Sequence, residues 1–416
     1  MDLNILLQNE QPERPLASAF YVDPRIFEVE TRAILERQWL LAGHVAMIPN
    51  PGDYFLFDVA SESLIVCRQR DGSVAAFFNV CRHRGSRICR EPSGHANAFT
   101  CPYHAWSYHL DGALRAAPHM PADFDPGDER LEQAHVEVLE GLIFLSIGQS
   151  PLSFDPVREV MTPFLRQSGT GAAQLAVRRS YPTDANWKLV VENFQECYHC
   201  APSHRLYCSV HSRAKLLAFG AGPGSGPAEA VAEFAQEFSD FQQAAEALGT
   251  WLPVQEEAAP QEQLWVAGRF PIGRGCQSET ADGRPAAPLI GDFKTYDGGQ
   301  TTLAFSPFGY FMGSNDHFVL IRFTPREVLK TDVEFLWFVA PGAQVDRDFT
   351  IERLTGVWDV TTREDKTITE DNQAGVSSRR YQPGRYSQLE SRLATIKDWY
   401  LRALAHHRHD RLEAVS

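Results

Sequence analysis

The sequence has no continuous apolar run long enough for a bilayer-crossing helix of ~20 residues. Its opening, MDLNILLQNEQPERPL, lacks a basic start followed by an apolar core, so no secretory signal is expected. Positive charge is scarce: 39 Lys and Arg against 53 Asp and Glu leave a formal net charge of −14. That balance argues against non-specific binding to nucleic acid. No GxGxxG stands at a strand–helix junction, so no dinucleotide site is expected on this chain. There is no internal repeat. The 8 cysteines are scattered through 416 residues rather than arrayed as a small disulfide scaffold. This usage suggests a reducing, cytoplasmic setting in which cysteines serve as ligands or buried thiols. The length allows a large core and suggests two domains.

What is present changes texture along the chain. Residues 1–38 form a lead-in with a helix: Asp23 suits its cap, Pro24 its first position, and Phe27, Ile34 and Leu35 its apolar side. From Trp39 the chain turns to short strands, DYFLFDV, SLIVCRQ and VAAFFNV, punctuated by Pro51-Gly52 and Asp71-Gly72. LIFLSI closes this all-β stretch before Gly148. Residues 221–259 are rich in Gly, Ala and Glu, with a helix from Pro227 to Leu248. Strands return over 300–340 as TTLAFSP, FVLIRFTP and VEFLWFVA, and 346–404 read as mainly helical. The fold class expected is α+β.

The stretch Asn186–His204, NWKLVVENFQECYHCAPSH, carries the chemistry. Trp187, Val190, Val191, Phe194 and Tyr198 recur at helical spacing. On such a helix Glu196 and His199, three apart, share a face. Pro202 breaks the helix, so the chain can turn and bring His204 back toward His199. Two imidazoles plus one carboxylate from elsewhere would form an iron site with open positions for oxygen. By itself, a pair of histidines in this setting is more often a hydrogen-bonded helix end.

A second constellation lies in the all-β stretch. Cys81-Arg82-His83 precedes Cys101-Pro102-Tyr103-His104, with 17 residues (84 to 100) between His83 and Cys101. Each loop offers one thiolate and one imidazole. A Rieske [2Fe-2S] cluster takes two cysteines on one iron and two histidines on the other. The competing reading is a structural zinc site, which also accepts two of each. Zinc fingers usually pair Cys with Cys and His with His. Gly85, Gly94 and Pro102 suit tight loops.

CRHRGS with CPYHAWSY, followed by NWKLVVENFQECYHCAPSH, resembles the α subunit of Rieske non-haem iron oxygenases. The resemblance covers nearly the whole chain in the family's order. It implies an all-β Rieske domain over 39–150. It implies a larger catalytic domain, an antiparallel sheet flanked by helices, over 1–38 and 151–416. Cys81, His83, Cys101 and His104 would hold the [2Fe-2S] cluster, and His199 and His204 the mononuclear Fe(II). The family's third iron ligand is a carboxylate on a C-terminal helix. Arg363-Glu364-Asp365-Lys366 ahead of Gln373 makes Asp365 the best candidate, with Glu364, Asp359 and Asp371 as rivals. Glu196 would link His104 of one subunit to His199 of the next. A homotrimer, O2 as co-substrate and a separate reductase or ferredoxin passing on NAD(P)H electrons are also implied. Arg82, Arg84, Arg87 and Arg90 would form that partner's docking collar, unless they pair internally with acids. Cys197, Cys200 and Cys208 read as small buried thiols, and His406, His407 and His409 as an exposed polar tail.

Within the family, Glu196 and the spacing ENFQECYHC resemble the subgroup acting on quaternary ammonium compounds, as do GRGCQSETADGRPAAPLIG and YDGG at 273–299. This implies hydroxylation of an N-methyl group. The carbinolamine formed would collapse to formaldehyde and the demethylated amine. Phe305, Phe308, Tyr310, Phe311, Phe318 and Phe323 are candidates for the aromatic faces a quaternary cation favours. The alternative is hydroxylation or O-demethylation of an aromatic acid. A non-catalytic Rieske electron carrier would need neither this length nor His199 and His204.

Overall fold

The computed structural model describes residues 3–219, 226–256 and 264–413. The chain forms two compact units, Leu35–Phe154, and Met1–Ile34 with Asp155–Ser416. Among the described residues, no helix is long and apolar enough to cross a membrane.

The smaller unit is built on a seven-stranded antiparallel sheet. Its order is Leu40–His44, Leu142–Ser146, Gln133–Leu139, Val74–Phe78, Glu62–Arg68, Asp53–Val59 and Ser93–His95. The turn at Asp71-Gly72 shows why the strands reverse there. The Asp71 carboxylate accepts from the Ser73 backbone N–H at 2.9 Å, and Gly72 sits at φ +87°. A three-stranded sheet of Phe99–Thr100, Ser107–Tyr108 and Leu114–Ala116 supports the second Cys–His loop. Phe77, Phe99, Trp106 and Tyr108 pack around Cys81 and Cys101 in a common core.

The larger unit centres on a second seven-stranded antiparallel sheet. Strands Gln255–Glu256, Val266–Pro271, Gly299–Ser306, Gly309–Gly313, His317–Glu327 and Lys330–Val339 follow one another as a meander, and Gln174–Ser180 adds to the last. The two long strands are buried along nearly their whole length, so both faces are covered. Helix Trp187–Phe194 lies against them and against the long helix Ile351–Val376. The α+β class and the antiparallel sheet flanked by helices agree with the expectation from sequence. Four strands, Gln174–Ser180, Gln255–Glu256, Val266–Pro271 and Gly309–Gly313, were not legible there. The helix expected from Pro227 to Leu248 spans Ala228–Ala247, with those two residues as its caps; the rest of 221–259 lies partly outside the described residues. Residues 406–409 belong to the last helix, Ser391–Glu413, rather than to a separate tail.

One buried acid ties the helix bearing the iron motif in place. Glu30 closes helix Pro24–Glu30, which Asp23 caps by accepting from Arg25 N–H. Its carboxylate accepts from Trp187 Nε1 at 2.9 Å, Lys188 Nζ at 2.6 Å and Tyr400 Oη at 2.5 Å. Glu30 and Lys188 are only 1% and 3% exposed. Removing Glu30 strands the buried Lys188 ammonium. Glu30→Ala is therefore expected to cost about 3–5 kcal/mol of stability. Denaturant unfolding checks this, and an unchanged midpoint would show that the network is idle.

Candidate metal centres

Helix Trp187–Phe194 starts on Asn186, whose side chain accepts from Lys188 N–H at 3.1 Å. The Asn186 backbone N–H donates to Gln373 Oε1 at 2.9 Å, which fixes the helix start against Ile351–Val376. The sequence reading carried this helix through Tyr198. It ends at Phe194, and Tyr198 is exposed. Glu196 and His199 therefore meet across a turn, not on a helix face. The turn closes on itself because one Glu196 oxygen accepts from the Tyr198 backbone N–H. Gln195 Nε2 donates to Tyr310 Oη at 2.5 Å and anchors the turn to the sheet. The chain re-forms as helix Cys200–Ser203 with His199 and His204 as its caps. Pro202 sits in this single turn, where its missing N–H costs little.

The break brings the two histidines together. Their rings stand edge to face at 5.0 Å. Asp365, from helix Ile351–Val376, places Oδ1 2.9 Å from His204 Nε2 and 3.4 Å from His199 Nε2. Among the described residues, this is the set of three donor atoms within 4.8 Å of one another. Each imidazole is held from behind. Glu196 Oε1 lies 2.5 Å from His199 Nδ1, and Glu364 Oε2 lies 2.8 Å from His204 Nδ1. Both rings thus keep Nε2 for the metal side. Glu364, a rival ligand in the sequence reading, takes the far nitrogen of His204. Asp359 pairs with Arg179 at 2.6 Å, and Asp371 is exposed.

Electrostatics fit a cation at this point. Burial depresses His199, but the Asp365 and Glu196 carboxylates lift it to about 9. Burial likewise opposes protonation of His204, and Asp365 with Glu364 overcomes it. Burial raises Asp365, yet the two imidazoles hold it below the usual carboxylate range. A divalent metal would compete with these protons and release them on binding.

The three groups open onto a cavity of ≈ 130 Å³. That is about ten times the space one water needs. Phe194, Tyr207, Tyr310 and Trp358 are on its wall. Of the six strand aromatics expected at a pocket, Tyr310 alone lines it among the described residues. The others fill the core, as in the Phe318–Phe338 stack at 4.8 Å. Tyr207 and Trp358 come from helices that the sequence reading did not connect to the pocket. The cysteine expectation is corrected as well. Cys197 and Cys200 form a disulfide, because the turn brings their Cα atoms to 4.9 Å. Cys208 is free and half-buried.

In the smaller unit the two Cys–His loops repeat one hydrogen-bond pattern. Cys81 N–H donates to Ser86 O at 2.9 Å and Gly85 N–H to Cys81 O at 2.8 Å; Cys101 N–H donates to Trp106 O at 2.8 Å and Ala105 N–H to Cys101 O at 3.1 Å. Gly85 and Ala105 take positive φ, +71° and +59°, to complete the loops. The His83 and His104 rings stand edge to face at 4.7 Å, and His83 stacks on Trp106. His83 Nδ1 is buried without a hydrogen-bond partner among the described residues, as a nitrogen kept for a ligand bond would be. Each loop thus presents one cysteine and one histidine on a matched turn, the one-of-each supply that a Rieske cluster takes.

Together the two centres describe an oxygenase that stores electrons in a Rieske cluster and works at a mononuclear iron. Comparisons with known proteins agree. Residues 38–138 match the Rieske [2Fe-2S] domain, and residues 172–406 match the ring hydroxylating alpha subunit (catalytic domain). A glycine betaine monooxygenase oxygenase subunit from Chromohalobacter salexigens is 34% identical over 410 residues, 95% of this chain and 87% of the relative. One from Pseudomonas aeruginosa is 32% identical over 402 residues, covering 95% and 90%. A solved structure of a quaternary ammonium Rieske monooxygenase shares the fold, with a TM-score of 0.70 at 20% identity over 96% of this chain and 97% of that one. The chain belongs to the ring-hydroxylating α-subunit family of Rieske non-haem iron oxygenases. As such it is an oxidoreductase that uses a [2Fe-2S] cluster, a mononuclear iron and O2.

Proposed function

We propose that this chain is the terminal oxygenase that hydroxylates an N-methyl group of a quaternary ammonium, betaine-type substrate. The observation that carries the reading is the cavity whose wall holds His199, His204 and Asp365 together with Tyr207, Tyr310 and Trp358. One oxygen atom enters a C–H bond of the methyl group, and the other leaves as water with two electrons and two protons. The hydroxymethyl ammonium then loses formaldehyde and a proton, leaving the demethylated amine.

In this reading residues 39–150 hold the cluster through Cys81, His83, Cys101 and His104. Residues 1–38 with 151–416 hold the iron through His199, His204 and Asp365. When bound, the two groups supply stored electrons and oxygen activation. The protein's own part is orientation and exclusion of water. Glu196 and Glu364 fix the two imidazoles, and the aromatic wall seats the cation. Glu196 also connects to His104 of a neighbouring subunit in a homotrimer. Arg82, Arg84, Arg87 and Arg90 are exposed and have no carboxylate partner among the described residues, which supports a docking face for an acidic reductase. The supply of NAD(P)H places the protein in the cytoplasm.

The test is reconstitution. The purified chain alone should not oxidise NADH, and a reductase should switch on NADH- and O2-dependent turnover. A panel of betaines and aromatic acids should then give formaldehyde from the betaines. Hydroxylated aromatic acid without formaldehyde from any betaine would overturn the reading. Rapid NADH oxidation by the single chain would contradict the separate reductase.

A further inference from the structure

We propose that Lys215 receives the carboxylate of a zwitterionic substrate, so that the cavity selects betaines over quaternary cations lacking a negative end. The inference rests on the proposed function and names the substrate end that the aromatic wall leaves unread.

Lys215 lies on helix Arg213–Phe219, is 6% exposed and lines the same cavity as His199, His204 and Asp365. Its ammonium has three N–H groups to satisfy. Among the described residues it makes one hydrogen bond, 3.2 Å to His211 Nδ1. Two donors are therefore uncommitted on a buried cation beside a cavity. Such a group is costly unless an acceptor comes to it.

Its surroundings do not supply that acceptor. Burial and the Lys215 charge hold His211 down to about 4, so its ring is neutral. Nδ1 then accepts from Lys215, and the Nε2 proton goes to Glu279 Oε1 at 2.9 Å. The other Glu279 oxygen accepts from Trp358 Nε1 at 2.7 Å. Glu279 and Glu237 thus offset part of the Lys215 charge, and neither is hydrogen-bonded to it among the described residues. Burial draws the Lys215 ammonium down to about 8, still above neutrality, so it remains cationic. Arg392, a second cation on the wall, already has an interaction of its own.

A cation in an enclosed site repels a simple quaternary ammonium ion and attracts a carboxylate. The aromatic rings of Tyr207, Tyr310 and Trp358 on the wall attract the ammonium end. A molecule with both charges satisfies both walls, and seating its carboxylate at Lys215 orients its methyl groups away from that end.

The experiment uses the iron-loaded, cluster-containing protein. Calorimetry measures binding of glycine betaine and of its methyl ester, a cation of nearly the same shape without the negative charge. The wild type should prefer the betaine. Lys215→Met should lose about ten- to a hundredfold in betaine affinity, with the ester unchanged or tighter, and Lys215→Arg should keep most of the preference. Lys215→Gln serves the same comparison if the methionine variant fails to fold. Equal losses for betaine and ester would assign Lys215 a purely structural role and overturn the inference. So would an unchanged betaine affinity, and in both cases demethylation by the wild type would leave the proposed function standing. A wild type that binds neither compound but hydroxylates an aromatic acid would remove both.

Discussion

Asp365→Ala should purify with the colour of its cluster, lack the mononuclear iron and show no detectable turnover. Wild-type protein should carry about three irons per chain, two in the cluster and one alone. The variant should carry about two. The reason is geometric: Asp365 Oδ1 faces the Nε2 atoms of both His199 and His204, at 3.4 and 2.9 Å. Glu364 and Glu196 are turned to the Nδ1 atoms, so neither can replace it without rotating a ring. His199→Ala should behave alike. Cys101→Ala should do the reverse, losing the cluster signal and keeping the single iron. Iron analysis with the visible and reduced-state spectra decides all three. Full iron in Asp365→Ala would move the ligand to another acid, and a colourless, zinc-bearing wild type would sink both sites.

Glu196→Gln should turn over about 10–100-fold more slowly with every metal in place. The amide keeps the length of the side chain but loses the charge that holds the His199 Nδ1 proton. Loss of a group that orients a ligand typically costs about 10–100-fold in metal affinity or activity. We expect normal iron content, a normal reduced-cluster spectrum, an intact oligomer and slow cluster re-oxidation in a single turnover with substrate and O2. Glu196→Asp should recover part of the rate. Glu364→Gln supplies the control, because Glu364 holds His204 as Glu196 holds His199. Equal defects in the two variants would make Glu196 a ring-orienting acid only. A re-oxidation defect confined to Glu196→Gln supports the link between subunits, and wild-type re-oxidation in that variant would refute it.

Much of this was legible in the sequence because the signals were local. The two Cys–His loops are short, and the spacing within each follows from a tight turn repeated twice. Residues 53–80 show their strands through alternation and turn pairs. The meander over 299–339 shows through long apolar runs, but Gly309–Gly313 is too short and glycine-flanked to stand out. The end of the helix at Phe194 was hidden, since Tyr198 continues the apolar spacing although it faces solvent. It is decided by the Glu196 carboxylate competing for the Tyr198 N–H, a contact that periodicity does not register. Asp365 was picked out by family resemblance. The role of Glu364 needed the structure, because nothing in Glu-Asp tells which of two adjacent acids meets which face of a histidine 160 residues away. Lys215 drew no attention, being one lysine among helical residues until the fold buried it.

The long helix Ile351–Val376 is registered against the iron motif through Gln373 and Asn186, so any shift along it would carry Asp365 out of reach. Tyr207 and Lys215 instead ride on two short helices, Arg205–Val210 and Arg213–Phe219, that follow His204. Inheritance can therefore act on them at different rates. Changes after His204 can reshape that part of the pocket wall and leave Asp365 in place, whereas Trp358 shares the long helix with Asp365 and is tied to the same register.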